Sequence, residues 1–204
     1  MLFDDTYHTI KAPSEGLFRD KGSKFLAFAY PITSDAEIKE HVSRLKAEHP
    51  KANHHCWAMR LGTDRSVFRV NDDGEPSGTA GRPILNVLLS RDITNILVVV
   101  VRYFGGTLLG VPGLINAYKH ATIDVLEHAS VIERSVQDVY EVAFAHEHMN
   151  EVMRMVKDNQ LTVLAQDFDT LYRMQLSVRK MKVNEVLGRL EKLPNIQINY
   201  LRTV

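Results

Sequence analysis

The sequence predicts an α+β fold in two domains. Of the 204 residues, 45% are apolar and 25% are charged, which is the ordinary mixture of a globular protein. The first part combines apolar strands with helices that follow glycine-rich loops. The last seventy or so residues follow the order βαββαβ of a ferredoxin-like unit. We therefore expect domains at 1–134 and 135–204, each with its helices largely on one face of a sheet.

The strand over 23–30 is apolar on both faces, which favours a central place in a sheet. Thr33, Ser34 and Asp35 then offer N-caps for a helix that ends at Pro50. Further along the first domain, the patterns predict strands over 54–61 and 66–70, a short helix over 84–89, a buried β-branched strand over 93–102 and a long helix over 114–129.

The second domain alternates strands and helices in a regular order. The patterns predict a strand over 136–145, a helix over 146–159, strands over 161–167 and 171–178, a helix over 183–193 and a last strand over 196–201.

Charge and cysteine content narrow the classes of function. Lys plus Arg and Asp plus Glu both total 25, so the neutral chain is not a strongly basic polyanion binder, although a local basic patch stays open. The single Cys56 cannot form an internal disulfide, which favours a reducing compartment. No signal peptide is evident, and the apolar run over 96–101 is too short for a membrane span. We expect a cytoplasmic monomer without a membrane partner.

The loop over 71–83 has three glycines and three acids. Its glycines allow close backbone approach to a ligand, and Ser77, Thr79 and the following helix N-terminus could hold an anion with Arg82. Its acids Asp72, Asp73 and Glu75 suit a hard cation such as Mg²⁺. The structural alternative is a surface turn in which the Asp side chains cap backbone N–H groups.

A second loop over 103–113 repeats this arrangement. A buried strand ends, Arg102, Tyr103 and Phe104 follow, and glycines lead into a helix. Two such helix starts favour one shared cleft. The structural alternative is that Phe104 packs in the core and the glycines make only a tight connection.

Other side chains allow further interpretations. Basic residues interleave with aromatic ones around Arg19, Lys21, Lys24 and Arg102, a pattern that suits a phosphate backbone and stacked bases. Cys56 could be a nucleophile beside His54 or His55, but a small buried apolar residue is the better interpretation.

These motifs together resemble the YigZ/IMPACT family. The resemblance rests on segments 55–58, 72–85, 102–106, 109–110 and 113–114, with Glu15, 22–25 and 117–118 also matching. It implies a first domain like the second domain of ribosomal protein S-five and a tail like a domain of elongation factor G. Eukaryotic relatives are linked to translational control. The chain departs from the family at 111–113, where Thr-Gly-Gly is usual, and at Asn116, where Arg is frequent.

We expect a non-enzymatic protein that binds RNA or the ribosome and modulates translation. The alternative is an enzyme that uses Mg²⁺ to act on a phosphorylated metabolite or nucleotide. Arg82 and Arg102 would bind phosphate and Tyr103 would stack; the resemblance places His55 opposite the loops. The predicted ligand site comprises His55, Asp72, Asp73, Gly74, Glu75, Ser77, Gly78, Thr79, Gly81, Arg82, Arg102, Tyr103, Phe104, Gly105, Gly106, Gly110 and Gly113.

Overall fold

The computed structural model describes residues 5–204. The chain divides into two units, one spanning Tyr7–Arg134 and the other containing Ser135–Val204 together with Asp5 and Thr6. The two-unit α+β architecture agrees with the predicted fold class.

A five-stranded antiparallel sheet organises the first unit, in the order β2-β3-β6-β4-β5. β3 lies between two neighbours, because its side chains are apolar on both faces. A separate two-stranded sheet pairs β1 with β7. The strands are β1 (Thr6–Ile10), β2 (Ser14–Asp20), β3 (Ser23–Pro31), β4 (His54–Leu61), β5 (Val67–Asn71), β6 (Ile96–Tyr103) and β7 (Val131–Ser135).

Helices cover both faces of this sheet: α1 (Ala36–Glu48) on one, α2 (Gly81–Ser90) and α3 (Gly110–His128) on the other. The expectation that helices lie largely on one face is therefore wrong for this unit. The physical reason is that β6 is buried along almost its whole length, so apolar surface needs cover on each side. Within residues 5–204, no helix is long and apolar enough to cross a membrane.

Most predicted elements of the first unit are confirmed, with shifted ends. α3 begins four residues earlier than expected, because Pro112 falls in its first turn, where a missing N–H breaks no helical hydrogen bond. The short strands β1, β2 and β7 were not predicted. β2 has only half-buried and exposed residues, so it carries no strong apolar signal.

The second unit is a βαββαβ arrangement, as predicted. Its four-stranded antiparallel sheet has the order β11-β8-β10-β9. Apolar residues of both helices pack with β8 and β10 in one core. The elements are β8 (Gln137–Phe144), α4 (Met149–Asp158), β9 (Thr162–Phe168), β10 (Tyr172–Arg179), α5 (Val183–Leu190) and β11 (Gln197–Thr203), with a 3₁₀ turn before each helix.

Candidate functional site

The two glycine loops meet at one end of the five-stranded sheet. His54 at the start of β4 is in register with Arg102 at the end of β6, and α3 begins beside them. Together they enclose a cleft of about 470 Å³. The cleft, defined by its lining, comprises Asn53, His54, Glu75, Pro76, Arg102, Phe104, Leu108, Leu109, Gly110, Val111 and Leu114.

A buried charged pair lies at the base of the cleft. Arg102 Nη1 donates to Glu75 Oε1 at 2.6 Å, and the Tyr118 hydroxyl donates to the same oxygen at 2.8 Å. The side chains of Arg102 and Glu75 are 7% and 3% exposed. Arg102 was predicted to bind phosphate, but its guanidinium is paired inside the protein. Glu75 lies in the first loop and Arg102 on β6, so the pair ties this loop to the sheet. Removal of either partner would leave an uncompensated buried charge.

Aromatic rings flank the Arg102 guanidinium. Its Cζ atom is 5.4 Å from the centre of the Phe25 ring and 5.7 Å from that of Phe104. Phe25 is fully buried, whereas Phe104 is 45% exposed at the cleft. The alternative in which Phe104 packs in the core is therefore wrong. Arg102 Nε is buried and has no hydrogen-bond partner among residues 5–204.

The two adjacent histidines face opposite sides of the sheet, as alternation along a strand requires. His54 lines the cleft, and its Nδ1 is 2.9 Å from the carbonyl oxygen of Asp73. His55, which the resemblance placed opposite the loops, does not line the cleft. It is buried, and burial lowers the pKa of its ring despite the nearby Asp73 carboxylate. His54 therefore occupies the place predicted for His55.

Asp72 caps the N-terminus of α2. Its Oδ1 accepts hydrogen bonds from the N–H groups of Ala80 (3.1 Å) and Gly81 (2.8 Å), and its Oδ2 accepts one from Gly78 (2.9 Å). The predicted anion site at this helix start is thus filled by the protein's own carboxylate. The alternative interpretation of the loop, an Asp side chain on backbone N–H groups, is confirmed for Asp72.

Asp73 joins the loop to β4 and α1. It accepts hydrogen bonds from the His55 N–H at 2.7 Å and from Lys46 Nζ at 3.0 Å. Burial alone would raise the pKa of Asp73, but these hydrogen bonds outweigh burial and lower it. Asp72, Asp73 and Glu75 therefore serve different partners. Across residues 5–204, no three His, Cys, Asp or Glu side chains come together to hold a metal ion, so the predicted Mg²⁺ ligands do not form one site.

The remaining polar candidates lie apart from the cleft lining. Arg82 and Ser77 are exposed, and Thr79 donates to the carbonyl oxygen of Pro76. Tyr103 lies on the opposite face of β6 from Arg102, where its hydroxyl is 2.9 Å from His49 Nδ1. The aromatic ring at the cleft is therefore that of Phe104 rather than that of Tyr103.

The glycines of the two loops have different structural roles. At Gly105 an added Cβ would lie 1.9 Å from the Gly22 carbonyl carbon, so this glycine permits a contact between two backbones. Gly106 and Gly78 have positive φ and open surroundings. Of the predicted glycines, Gly110 lines the cleft. Outside that lining lie Gly74, Gly78, Gly81, Gly105, Gly106 and Gly113.

Cys56 is a core residue. Its sulfur lies 3.0 Å from the Asp72 carbonyl oxygen and 3.3 Å from the Tyr118 hydroxyl oxygen. Burial raises the pKa of the Cys56 thiol and also that of Tyr118. A protonated, fully buried thiol cannot act as a nucleophile, so the interpretation as a small buried residue is the one that the structure supports.

Sequence reasoning missed the apolar walls of the cleft. The Leu108 side chain is 83% exposed and the Val111 side chain is 51% exposed. Leu108 lies in the loop and Val111 at the start of α3, and neither segment has an obvious amphipathic period. Two exposed apolar residues beside a glycine pair are a signal that could have marked them as ligand contacts. Tyr118 falls within the long helix predicted over 114–129, and its hydrogen bond to Glu75 could not be foreseen from spacing.

The chain matches the Impact N-terminal domain over residues 21–126. It is 29% identical over 190 residues to the IMPACT family member YvyE of Bacillus subtilis, covering 93% of this chain and 88% of the relative. A crystal structure of a hypothetical protein superposes with a TM-score of 0.76 at 26% identity, covering 97% of this chain and 98% of the other. The two-domain translational regulator Yih1 gives a TM-score of 0.36 at 30% identity, over 60% of this chain and 47% of its own. The match to more than half of the residues shows that this chain belongs to the IMPACT family, in which YigZ and YvyE are bacterial members.

Proposed function

We propose that this protein regulates translation in the cytoplasm by binding RNA or the ribosome, without catalysing a reaction. Membership of the IMPACT family supports a role in translational control, as the resemblance implies.

The observation that carries the proposal is a row of cations that make no ion pair within residues 5–204 and lie beside two aromatic residues. Arg19 pairs in register with Lys24, and Lys24 pairs in register with Tyr103, so the three lie side by side across β2, β3 and β6. Lys21 occupies the turn between Arg19 and Lys24. The Lys21–Gly22 turn touches Gly105, next to Phe104. We call Arg19, Lys21 and Lys24 the basic rim.

The basic rim is available to a partner. Arg19 and Lys21 are exposed and Lys24 is half-buried. Among residues 5–204, none of the three makes an ion pair, in contrast to Lys46 and Arg102. Cations that follow a phosphate backbone next to aromatic rings are the features by which proteins hold single-stranded RNA. Because the whole chain is neutral, such binding has to come from a local surface of this kind.

The site does not support the alternative function, that of an enzyme that uses Mg²⁺ to act on a phosphorylated metabolite or nucleotide. A phosphoryl-transfer centre with Mg²⁺ needs carboxylates that are free to coordinate. Here Asp72 holds the start of α2 and Asp73 holds Lys46 and β4. The site therefore favours the binding function.

The test is RNA affinity as a function of salt concentration. We expect the full chain to bind a single-stranded RNA with an affinity that falls as salt rises, with a slope of about 0.7 per phosphate contact. Replacement of Arg19, Lys21 and Lys24 by Gln should flatten the slope by up to about two units. The matched control replaces Lys11, Lys39 and Lys119 by Gln, which removes the same charge from exposed positions elsewhere in the unit.

An equal loss of affinity in both triple variants would show that only net charge matters, and would contradict the basic rim as the binding surface. Absence of salt-dependent binding both to RNA and to purified ribosomes would overturn the proposed function.

A further inference from the structure

The polar floor of the cleft contains hydrogen-bonding groups that the protein itself does not use. Arg102 Nε is a buried donor without an acceptor among residues 5–204. Both hydrogen bonds that Glu75 accepts end on Oε1, so Oε2 is unpartnered within the described residues. Both side chains are more than nine-tenths buried and line the cleft. A buried donor that makes no hydrogen bond is costly, so Arg102 Nε points to a ligand, with Glu75 Oε2 as an acceptor on its salt-bridge partner.

His54 adds a second acceptor. Its Nδ1 faces the Asp73 carbonyl oxygen, which can only accept, so Nδ1 carries the hydrogen. In the neutral ring Nε2 is then an acceptor, and it lies 3.9 Å from Glu75 Oε1 at the same floor. The floor therefore offers one donor, Arg102 Nε, and two acceptors, Glu75 Oε2 and His54 Nε2.

This inventory matches one nucleobase better than the other three. The Watson–Crick edge of guanine presents one acceptor, O6, beside two donors, N1–H and the N2 amine. Adenine presents one donor and one acceptor, while uracil and cytosine each present one donor and two acceptors. A carboxylate and an arginine on a charge-neutral floor also favour an uncharged polar edge over a free anion, because Arg102 and Glu75 already neutralise each other.

The walls suit the flat faces of a base. Phe104 is partly exposed and stands against the Arg102 guanidinium, and bases stack on such planes. Leu108, Val111 and Leu114 supply an apolar wall opposite the polar floor. The cleft volume of about 470 Å³ lies within the range of small-molecule sites.

We propose that the cleft binds a guanine base, either that of a free nucleotide or an unpaired guanine in RNA. The inference rests on the proposed function only in that an RNA ligand would supply the base; the Lys21–Gly22 turn of the basic rim touches Gly105, next to Phe104. The recognition itself needs only Glu75, Arg102, His54 and Phe104.

The first arm of the test uses free nucleotides. The full chain is titrated with GMP, IMP and AMP, which share the phosphate and differ at the base edge. We expect saturable binding of GMP, binding of IMP weaker by about fivefold or more because its N2 amine is missing, and AMP weaker still. Phe104→Ala should weaken GMP binding by about tenfold. Phe68→Ala is the matched control, since Phe68 is half exposed on β5 and lies outside the cleft lining.

The second arm uses oligouridine with and without one central guanosine. A guanosine-dependent gain in affinity that Phe104→Ala cancels identifies RNA as the source of the base. His54→Leu replaces the imidazole with an apolar side chain of similar size. It should narrow the preference for GMP over AMP without unfolding the chain, which a thermal melt checks.

The outcomes separate the two proposals. GMP binding without any RNA binding supports the cleft and contradicts the basic rim. Salt-dependent RNA binding with no guanosine gain, and no preference among the nucleotides, overturns the cleft and leaves the proposed function standing. Equal GMP binding by Phe104→Ala and the parent chain overturns the cleft as the site.

Discussion

At the scale of single residues, the Asp72 carboxylate accepts the backbone hydrogen bonds at the start of α2 that an external anion would otherwise accept. Both of its carboxylate oxygens accept hydrogen bonds from backbone N–H groups, and no hydroxyl or lysine of the described residues competes for them. An Asn side chain has only one oxygen, so its amide group would face an N–H donor. The charge of Asp72 is therefore part of the helix start rather than part of a ligand site.

We predict that Asp72→Asn lowers the free energy of unfolding by about 1–3 kcal/mol. The matched control is Asp35→Asn, because Asp35 is the N-cap residue of α1 but makes no side-chain capping hydrogen bond. Its free energy of unfolding should change by under about 0.5 kcal/mol. Urea denaturation of both variants measures the difference, and equal stability would contradict the capping role.

Asp35, one of the three predicted N-caps, makes no side-chain capping hydrogen bond at the start of α1, and Glu37 in the first turn instead binds the backbone of the two residues before it. Its Oε1 accepts hydrogen bonds from the N–H groups of Thr33 (2.8 Å) and Ser34 (2.9 Å). The Thr33 N–H is the main cause that lowers the pKa of Glu37 below its ordinary value of 4.5. A lowered pKa in the folded state means that the charged form stabilises the fold above pH 4.5.

This stabilisation should disappear as the pH falls through the lowered pKa of Glu37. We predict that the parent chain is more stable than Glu37→Gln at pH 7 by under about 1 kcal/mol, and that the difference shrinks towards pH 3. Unfolding free energies of both proteins at a series of pH values measure it. A difference that is constant over this range would show that the carboxylate charge is irrelevant.

At the scale of elements, the second glycine loop is held by a contact between two backbones. The β2–β3 turn at Gly22 and the loop after β6 at Gly105 approach so closely that no side chain fits between them. The contact fixes where Phe104 leaves the sheet. The sequence predicts Gly105 as a ligand residue, and the structure shows that it also permits this backbone contact.

We predict that Gly105→Ala lowers the free energy of unfolding by about 3 kcal/mol or more, because the two backbones must separate. Gly188→Ala is the control. It lies inside α5 with open space around its Cα, so alanine should stabilise the chain by about 0.5–1 kcal/mol. Thermal unfolding of both variants measures the effects, and a tolerated Gly105→Ala would contradict the close contact.

At the scale of the whole molecule, Asp5 and Thr6 belong to the second unit. Asp5 is held there by both its side chain and its backbone. Its side chain accepts hydrogen bonds from Arg179 Nε at 2.5 Å and from the Met181 N–H at 3.1 Å, and its carbonyl accepts one from Val136 N–H at 2.7 Å. The second unit therefore draws on both ends of the chain.

We predict that a fragment of residues 7–134 unfolds in one cooperative transition, because it contains a complete sheet covered by helices on both faces. A fragment of residues 135–204 should be less stable than the same unit in the full chain, since it lacks Asp5. Denaturation of the two fragments and the full chain tests this. A non-cooperative melt of fragment 7–134 would mean that the units depend on each other to fold.

The sequence by itself determined the elements and the family. Most helices and strands, the βαββαβ order and the loops that meet at the site follow from periodicity, glycine and proline positions and recognisable motifs. These are local properties, set by residues within a few positions of each other.

Only the tertiary structure decided which groups face the cleft. Strand register places His54 rather than His55 beside Arg102. Folding of the chain brings Glu75 into contact with Arg102, although the two are 27 residues apart in the sequence. Asp72, Asp73 and Glu75 are adjacent in a single acidic stretch, yet each found a different partner. A motif states which chemical groups are present, but burial and long-range pairing decide which of them remain free to bind a ligand.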